Sequence, residues 1–208
     1  MIRPMERFEK KLSEIARYLG AESSSEELIS GICSNSKEIE PGDLFVAIPG
    51  TKSHGANFVD FAIKQGAKGI LTDAEGRKLA ADKLPLIEVI DVRKAIGSLS
   101  NWFYKSPSSQ MNLVGITGTN GKTTTSYLLN QIWKFAGRST ALVGTLGIEI
   151  CGEKSSSGFT TPESDQIVNI LAAAAEKHVS SSVMEVSSIA IEMGRIDGLK
   201  FEWVAFSN

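Results

Sequence analysis

Apolar residues recur at helix and strand spacings through the first half of the chain. Between Glu6 and Gly20 they fall on one face of a helix, which Gly20 would stop. Short apolar runs further along predict buried strands, and Pro41-Gly42 marks a turn before the first of these. The predicted helices are Glu6–Gly20, Phe58–Gln65 and Val92–Tyr104, and the predicted strands are Leu44–Ile48, Ala67–Thr72 and Leu86–Ile90.

The alternation resumes after the polar, proline-containing segment Lys105–Gln110, where we place a domain boundary. The predicted domains are residues 1–108 and 109–208. Glycines in Leu146–Phe159 predict that this segment leaves the strand-helix alternation and forms hairpins. Pro162 is typical of a first helical turn. The predicted strands are Leu113–Thr117, Thr140–Val143, Val183–Val186 and Trp203–Phe206, and the predicted helices are Lys122–Ala136 and Pro162–Lys177.

Strands that alternate with helices predict an α/β fold, with parallel sheets covered by helices. Four strands in the second domain are few for a complete nucleotide-binding sheet. The last segment, V-A-F-S-N, reads as a buried strand with no helix after it to cover it. These features lead us to expect a fragment of a longer protein, whose second domain is a partial parallel-sheet domain.

Composition narrows the classes of function. A net charge of -2 without a long basic run gives no reason to expect a nucleic-acid partner. The sequence has no apolar stretch of about 18 residues and no apolar signal-peptide core, so we expect a cytoplasmic protein without membrane insertion. Cys33 and Cys151 are far apart and are expected to be free thiols. His54 and His178 are isolated, which argues against a histidine metal site.

The segment T-G-T-N-G-K-T-T-T, which begins at Thr117, has the context of a phosphate-binding loop, because a strand precedes it and a helix follows. Its glycines would let successive N–H groups point at one anion, close to the positive end of the helix. A lysine in such a loop reaches the terminal phosphates, and the next hydroxyl holds Mg²⁺. The candidate ATP-binding residues are Gly118, Thr119, Asn120, Gly121, Lys122, Thr123 and Thr124.

The loop departs from the usual G-x-x-x-x-G-K-[ST] pattern, since Ile116 stands where the first glycine is required. This makes an ordinary P-loop GTPase or kinase a weaker interpretation. An ordinary glycine-rich turn would explain the loop alone, but strand, glycines, lysine and threonine together favour a nucleoside triphosphate site.

Further polar residues stand at the ends of predicted strands. Glu185 lies in an apolar strand, where a carboxylate is costly unless it is paired or binds a metal; otherwise it must turn to solvent. Thr160 and Thr161 precede a predicted helix, so they can bind an anion or cap the helix, and Ser187 has the same two options. Arg195 suits carboxylate recognition, although a lone arginine is more often a surface residue.

These segments together resemble the Mur ligases, ATP-dependent amino-acid-adding enzymes of peptidoglycan synthesis. N-S-K-E-I-E-P-G-D-L-F-V-A-I, from Asn35 to Ile48, resembles the D-S-R-x…G-D-L-F-V-A segment of the family's uridine-nucleotide-binding domain. G-I-T-G-T-N-G-K-T-T-T is similar to its ATP loop, and T-T-P-E to its substrate loop. M-E-V-S-S, followed by an arginine seven residues later, resembles its M-E-V-S-S-H…R segment, and V-A-F-S-N its strand before D-H-L-D.

The resemblance implies a small α/β N-terminal domain that binds the UDP substrate, followed by a partial P-loop ATPase domain. It implies addition of a third, diamino acid to UDP-MurNAc-L-Ala-D-Glu through an acyl phosphate, by a monomer. Ser36 would contact uridine, while Thr160, Thr161, Ser187 and Arg195 would bind the muramyl dipeptide. Lys122 and Glu185 would be catalytic, with ATP and Mg²⁺ as cofactors. Thr123 would hold the Mg²⁺ of ATP, and Glu185 would be a ligand of a second Mg²⁺.

Several positions depart from the family pattern. Asn35 and Lys37 replace the Asp and Arg of D-S-R, and Ile189 replaces the usual His after M-E-V-S-S. The D-H-L-D histidine, the carbamylated lysine and the C-terminal domain have no counterpart in the sequence. We therefore predict that the chain alone binds nucleotides weakly and does not turn over. Another Mur ligase, a folylpolyglutamate synthase or a non-catalytic nucleotide-binding remnant remain alternatives.

Overall fold

The computed structural model describes residues 1–156 and 158–208 and contains two compact units. The first comprises Met1 and Arg7–Phe103, and the second comprises Ile2–Glu6 and Tyr104–Asn208. The domain boundary expected between residues 108 and 109 stays a prediction. Ser157, within the expected hairpin region, lies outside the described residues. Over the described ranges, no helix is long and apolar enough to cross a membrane.

The first unit is built on a four-stranded parallel sheet in the order β3-β4-β5-β6, with a separate antiparallel pair, β1 and β2. Its core includes Phe45, Ile70 and Val59, all almost fully buried. The strands are β1 Lys10–Lys11, β2 Leu28–Ile29, β3 Gly31–Cys33, β4 Asp43–Val46, β5 Gly69–Thr72 and β6 Leu86–Glu88, and the helices are α1 Leu12–Tyr18, α2 Val59–Gln65, α3 Ala74–Ala80 and α4 Val92–Phe103. Short 3₁₀ helices span Ser36–Glu38 and Gly55–Phe58.

The first predicted helix is wrong over its N-terminal half, because α1 begins only at Leu12. The preceding Lys10–Lys11 pairs with Leu28–Ile29 as a strand. Within the second unit, the backbone amides of Met5 and Glu6 both donate to the carboxylate of Glu176, which draws that stretch away from a helical path.

The second unit has a six-stranded sheet in the order β10-β9-β8-β11-β7-β12. Its four predicted strands are confirmed and run parallel, and an antiparallel hairpin extends the sheet beyond β8. The strands are β7 Asn112–Gly118, β8 Thr140–Gly144, β9 Gly147–Ile150, β10 Glu153–Ser155, β11 Ser181–Glu185 and β12 Trp203–Ser207, and the helices are α5 Lys122–Phe135, α6 Ser164–Glu176 and α7 Ser188–Glu192. A 3₁₀ helix spans Pro107–Ser109.

Helices α5 and α6 cover opposite faces of this sheet. Leu129 and Trp133 of α5 pack on one apolar cluster, and Ile167 and Ile170 of α6 belong to another. The carboxyl ends of the parallel strands β7, β8, β11 and β12 all lie at the same end of the sheet, and β7 lies between β11 and β12. Ligands of open α/β sheets bind at this carboxyl end, at the point where the strand order reverses.

The last strand is exposed, contrary to the burial expected from V-A-F-S-N. Trp203 and Phe206 of β12 are 70% and 75% exposed. The reason is that β12 is the outermost strand of the sheet, so among the described residues it pairs only with β7. Helix α6 also begins later than predicted, at Ser164 instead of Pro162, with Glu163 as its extended N-cap residue.

Candidate functional site

The glycine-rich segment that the sequence predicts to bind phosphate joins β7 to α5 at the carboxyl end of the sheet. Gly118 and Gly121 have φ angles of 131° and 82°, which side-chain-bearing residues rarely adopt. A Cβ at Gly118 would also overlap the backbone of Ser207 in β12. The Ser207 hydroxyl donates to the Asn120 carbonyl at 2.9 Å, so β12 braces the loop from one side.

The lysine of the loop is folded onto the loop itself. Lys122 Nζ donates to the carbonyl oxygens of Gly118 at 2.7 Å and Thr119 at 3.3 Å. It lies at the first position of α5, where the helix dipole favours an anion. Thr119, Asn120 and Thr124 are exposed around it. An incoming phosphate would compete with two neutral carbonyls for the ammonium group.

Glu185 lies at the end of β11 with only 1% of its surface exposed, so it does not turn to solvent. Its Oε2 accepts hydrogen bonds from the hydroxyls of Thr123 at 2.8 Å and Thr145 at 3.0 Å. Its Oε1 accepts one from the Thr145 backbone amide at 2.9 Å. The absence of a side chain at Gly144 leaves room for the carboxylate, since a Cβ there would overlap Oε1.

The site of this carboxylate fits a magnesium ion. Among the described residues, no lysine, arginine or histidine forms an ion pair with Glu185, and a buried charge without a counter-charge is costly. A carboxylate and a hydroxyl are hard oxygen donors of the kind that Mg²⁺ prefers. In the described part of the chain there is no cluster of three or more histidine, cysteine, aspartate or glutamate side chains that could hold a metal ion. A magnesium ion held by Thr123 and Glu185 would take its further ligands from phosphate and water.

The two threonines before α6 bond into the same region and do not cap the helix. Buried Thr161 donates its hydroxyl to the Glu185 carbonyl at 2.9 Å and accepts from the Ser187 amide at 3.1 Å. Thr160 Oγ1 lies 3.0 Å from Thr145 Oγ1. These bonds hold the T-T-P segment against the end of β11, which explains why α6 starts only after it.

Ser187 and Arg195 complete the group of sequence-predicted residues in the second unit. The Ser187 hydroxyl accepts from the Ala190 amide at 3.2 Å, so it caps α7. Arg195 donates to the Thr161 carbonyl at 3.0 Å and pairs with Glu163 at 2.7 Å. Its side chain is only 15% exposed, which excludes a freely solvated residue.

Ser36 lies in the first unit, in the 3₁₀ helix that follows β3. It is half-buried, and neighbouring Asn35 and Lys37 are exposed. The Asn35 side chain accepts from the Lys37 backbone amide at 3.1 Å. Its amide oxygen thereby caps this turn in the way that an aspartate carboxylate would.

Sequence reasoning missed Thr145, Gly144, Ser207 and Glu163, which all contact the predicted site residues. A signal for the first two exists in G-T-L-G, which comes directly after a buried strand. Threonine after such a strand is nevertheless common in turns. Only the sheet order, with β8 beside β11, places Thr145 next to Glu185.

Two protein-family models match this chain. The family described as "Mur ligase middle domain" matches residues 116–208, and that described as "Mur ligase family, catalytic domain" matches residues 28–104. The chain belongs to the Mur ligase family. The glycine-rich loop that begins at Thr117 lies inside the first of these matches.

One similar relative is the UDP-N-acetylmuramoyl-L-alanyl-D-glutamate–2,6-diaminopimelate ligase of Streptomyces avermitilis, 40% identical over 199 residues. The match covers 95% of this Mur ligase chain but only 39% of that relative's length.

Two solved structures share the fold. A structure of UDP-N-acetylmuramoyl-L-alanyl-D-glutamate–2,6-diaminopimelate ligase has a TM-score of 0.76 at 23% identity, over 96% of this chain and 40% of its own. MurF ligase from Thermotoga maritima in complex with ADP has a TM-score of 0.53 at 24% identity, over 76% and 32%.

Proposed function

We propose that this chain is part of an ATP-dependent amide ligase of peptidoglycan precursor synthesis. The enzyme would add the third amino acid, meso-diaminopimelate or L-lysine, to UDP-MurNAc-L-Ala-D-Glu. The observation that carries this proposal is the buried Glu185 carboxylate, held 2.8 Å from the Thr123 hydroxyl at the end of the glycine-rich loop. The 40% identity to a diaminopimelate ligase supports the substrate class.

In this proposal the loop from Gly118 to Thr124 binds ATP. Its backbone amides and the N-terminus of α5 cradle the phosphates, and Lys122 releases the Gly118 carbonyl to contact the terminal phosphate. Because Thr123 Oγ1 lies 2.8 Å from Glu185 Oε2, the two residues are proposed to hold one Mg²⁺ instead of the two separate ions that the resemblance implies. When bound, this ion would neutralise charge on the phosphates. The buried position of Glu185 keeps its carboxylate from competing waters.

Ser36 is proposed to contact the uridine, while Thr160, Thr161, Ser187 and Arg195 bind the muramyl dipeptide. The γ-phosphoryl group of ATP would pass to the D-Glu γ-carboxylate and form an acyl phosphate. ADP is the leaving group of this transfer. The uncharged amine of the incoming amino acid then attacks the acyl carbon, the bond to the phosphate oxygen breaks, inorganic phosphate leaves, and the nitrogen loses one proton to solvent as the amide forms. Lys122 would stabilise the charge that develops during phosphoryl transfer.

This chain is proposed to bind substrates without turning over, because it spans about 39% of the length of the Streptomyces avermitilis relative. We further propose that it acts in the cytoplasm as a monomer, with no nucleic-acid partner. Phosphate release by the 208-residue chain that depends on a diamino acid would contradict the lack of turnover.

Calorimetric titration of the folded chain tests the two binding sites separately. ATP with Mg²⁺ should bind to the chain, and Lys122→Ala should weaken that binding by about 10-fold or more because a charged contact is lost. UDP-MurNAc-L-Ala-D-Glu should bind too, and Ser36→Ala should weaken it by about 3- to 10-fold. Lys78→Ala, an exposed lysine of α3, is the matched control for Lys122. A folded chain that binds neither ligand would contradict the proposal.

A further inference from the structure

Thr145 makes more bonds to the Glu185 carboxylate than any residue that the sequence singles out. Its amide donates to Oε1 at 2.9 Å and its hydroxyl to Oε2 at 3.0 Å, so one residue contacts both carboxylate oxygens. It follows Gly144 at the end of β8, next to β11 in the sheet. Thr145 is itself exposed, so burial of its own side chain does not account for its position.

The hydrogen-bond chain has a fixed direction. A hydroxyl has one proton to donate, and an ionised carboxylate can only accept. Since the Thr145 proton is directed to Glu185, the bond of 3.0 Å between Thr145 and Thr160 requires the Thr160 hydroxyl to be the donor. The order is therefore Thr160 to Thr145 to Glu185, which connects the T-T-P segment to the carboxylate.

We propose that Thr145 is a positioning residue for the cation site, an inference that rests on the proposed ATP and Mg²⁺ binding. It fixes the rotamer of Glu185, so that Oε2 stays beside the Thr123 hydroxyl. It also links the Thr160 hydroxyl to this metal ligand, because it forms hydrogen bonds with both residues. Residues that orient metal ligands in this way contribute to metal affinity without contacting the ion. Gly144 also contributes to the position of Glu185, because a side chain at residue 144 would overlap the carboxylate.

The test compares ATP affinity with and without Mg²⁺ in the 208-residue chain. Thr145→Val removes the hydroxyl and keeps the shape and the backbone amide. We expect it to reduce the Mg²⁺-dependent gain in ATP affinity by about 10-fold, the effect typical of lost support for a metal ligand. The affinity for ATP in the presence of a chelator should change by less than about twofold, because the loop itself is intact. Thr145→Ser should restore the gain.

Thr51→Val serves as the control for the substitution, since Thr51 is exposed and lies in the first unit. It should leave both affinities unchanged. Thr160→Val should weaken the Mg²⁺ gain less than Thr145→Val, and should add nothing in the Thr145→Val background. Independent effects of the two substitutions would overturn the proposed link between them.

The outcomes separate this inference from the proposed function. If the natural chain shows a Mg²⁺-dependent gain and Thr145→Val retains it, the positioning role is overturned and the proposed function stands. If the natural chain shows no such gain, both are overturned. If Thr145→Val lowers the ATP affinity by the same factor in the presence of Mg²⁺ and in the presence of a chelator, Thr145 has a general structural role. That result also overturns the inference.

Discussion

Gly118 lies opposite Ser207 in the register of β7 and β12, so closely that a Cβ on the glycine would overlap the serine backbone. The glycine-rich loop therefore begins where two strands leave no space for a side chain. We predict that Gly118→Ala is more destabilising than a glycine substitution that suffers only from backbone strain. Strain alone costs about 1–2 kcal/mol, and overpacking adds about 1–3 kcal/mol.

Gly137→Ala is the matched control, because Gly137 has a φ of 75° and a Cβ added there would meet nothing within 4 Å. Chemical unfolding of both variants should give a larger loss of unfolding free energy for Gly118→Ala. ATP titration should show lost binding in Gly118→Ala and retained binding in Gly137→Ala. Equal losses of stability in the two variants would contradict the close approach of the strands.

The buried charge of Glu185 predicts opposite effects on stability and on binding. Glu185→Gln keeps an oxygen that can accept from the Thr145 backbone amide, and its NH₂ group can donate to the hydroxyls of Thr123 and Thr145. The substitution removes a charge that has no cationic side-chain partner among the described residues. Without ligand, the free energy of unfolding should be unchanged or rise by about 1 kcal/mol. The Mg²⁺-dependent part of ATP affinity should disappear.

Thermal unfolding and ATP titration check the two effects, with Glu192→Gln at an exposed position of α7 as the control. A large loss of stability in Glu185→Gln would mean that the carboxylate is a structural group and not one reserved for a cation.

Arg195 and Glu163 form a half-buried ion pair that also holds the Thr161 carbonyl. We predict that Arg195→Met and Glu163→Gln are coupled by about 0.5–3 kcal/mol in a double-mutant cycle of unfolding free energies. Arg195→Lys should recover only part of the loss, because an ammonium group cannot reproduce both guanidinium contacts. Additive effects in the cycle would show that the pair contributes nothing to the stability of the T-T-P segment.

The sequence is most informative where local rules decide the structure. The helix expected over Phe58–Gln65 is observed as Val59–Gln65, and it ends because Gly66 adopts a φ of 105°. The four strands of the second domain follow from apolar runs bounded by turn residues. The loop between Gly118 and Lys122 is also found where its motif predicts it.

Long-range interactions explain what the sequence could not reveal. Helical periodicity before Leu12 is overridden by the pairing of Lys10–Lys11 with Leu28–Ile29. The exposure of Trp203 depends on the place of β12 at the sheet edge, which no local pattern specifies. Thr145 becomes part of the site through the order of β8 and β11, 40 residues away from Glu185 in the chain.

His54 stabilises the first unit through hydrogen bonds of both its ring nitrogens. Its Nδ1 accepts from the Ala56 amide at 3.0 Å, so Nε2 carries the proton and donates to Asp73 Oδ1 at 3.1 Å. The same Asp73 oxygen accepts from the Gly76 amide and caps α3. His54 thus joins the 3₁₀ helix at Gly55–Phe58 to the start of α3.

We predict that His54→Ala lowers the free energy of unfolding of the first unit by about 1–3 kcal/mol, because the buried amide of Ala56 and the partly buried carboxylate of Asp73 lose their bonds. His54→Asn should recover part of this loss, since an asparagine oxygen can cap the Ala56 amide. Amide hydrogen exchange at Ala56 is the local measurement, and it should accelerate more in the alanine variant than in the asparagine variant. Lys52→Ala, at an exposed position of the same loop, should leave this exchange unchanged. If His54→Ala also leaves it unchanged, the histidine does not hold these two elements together.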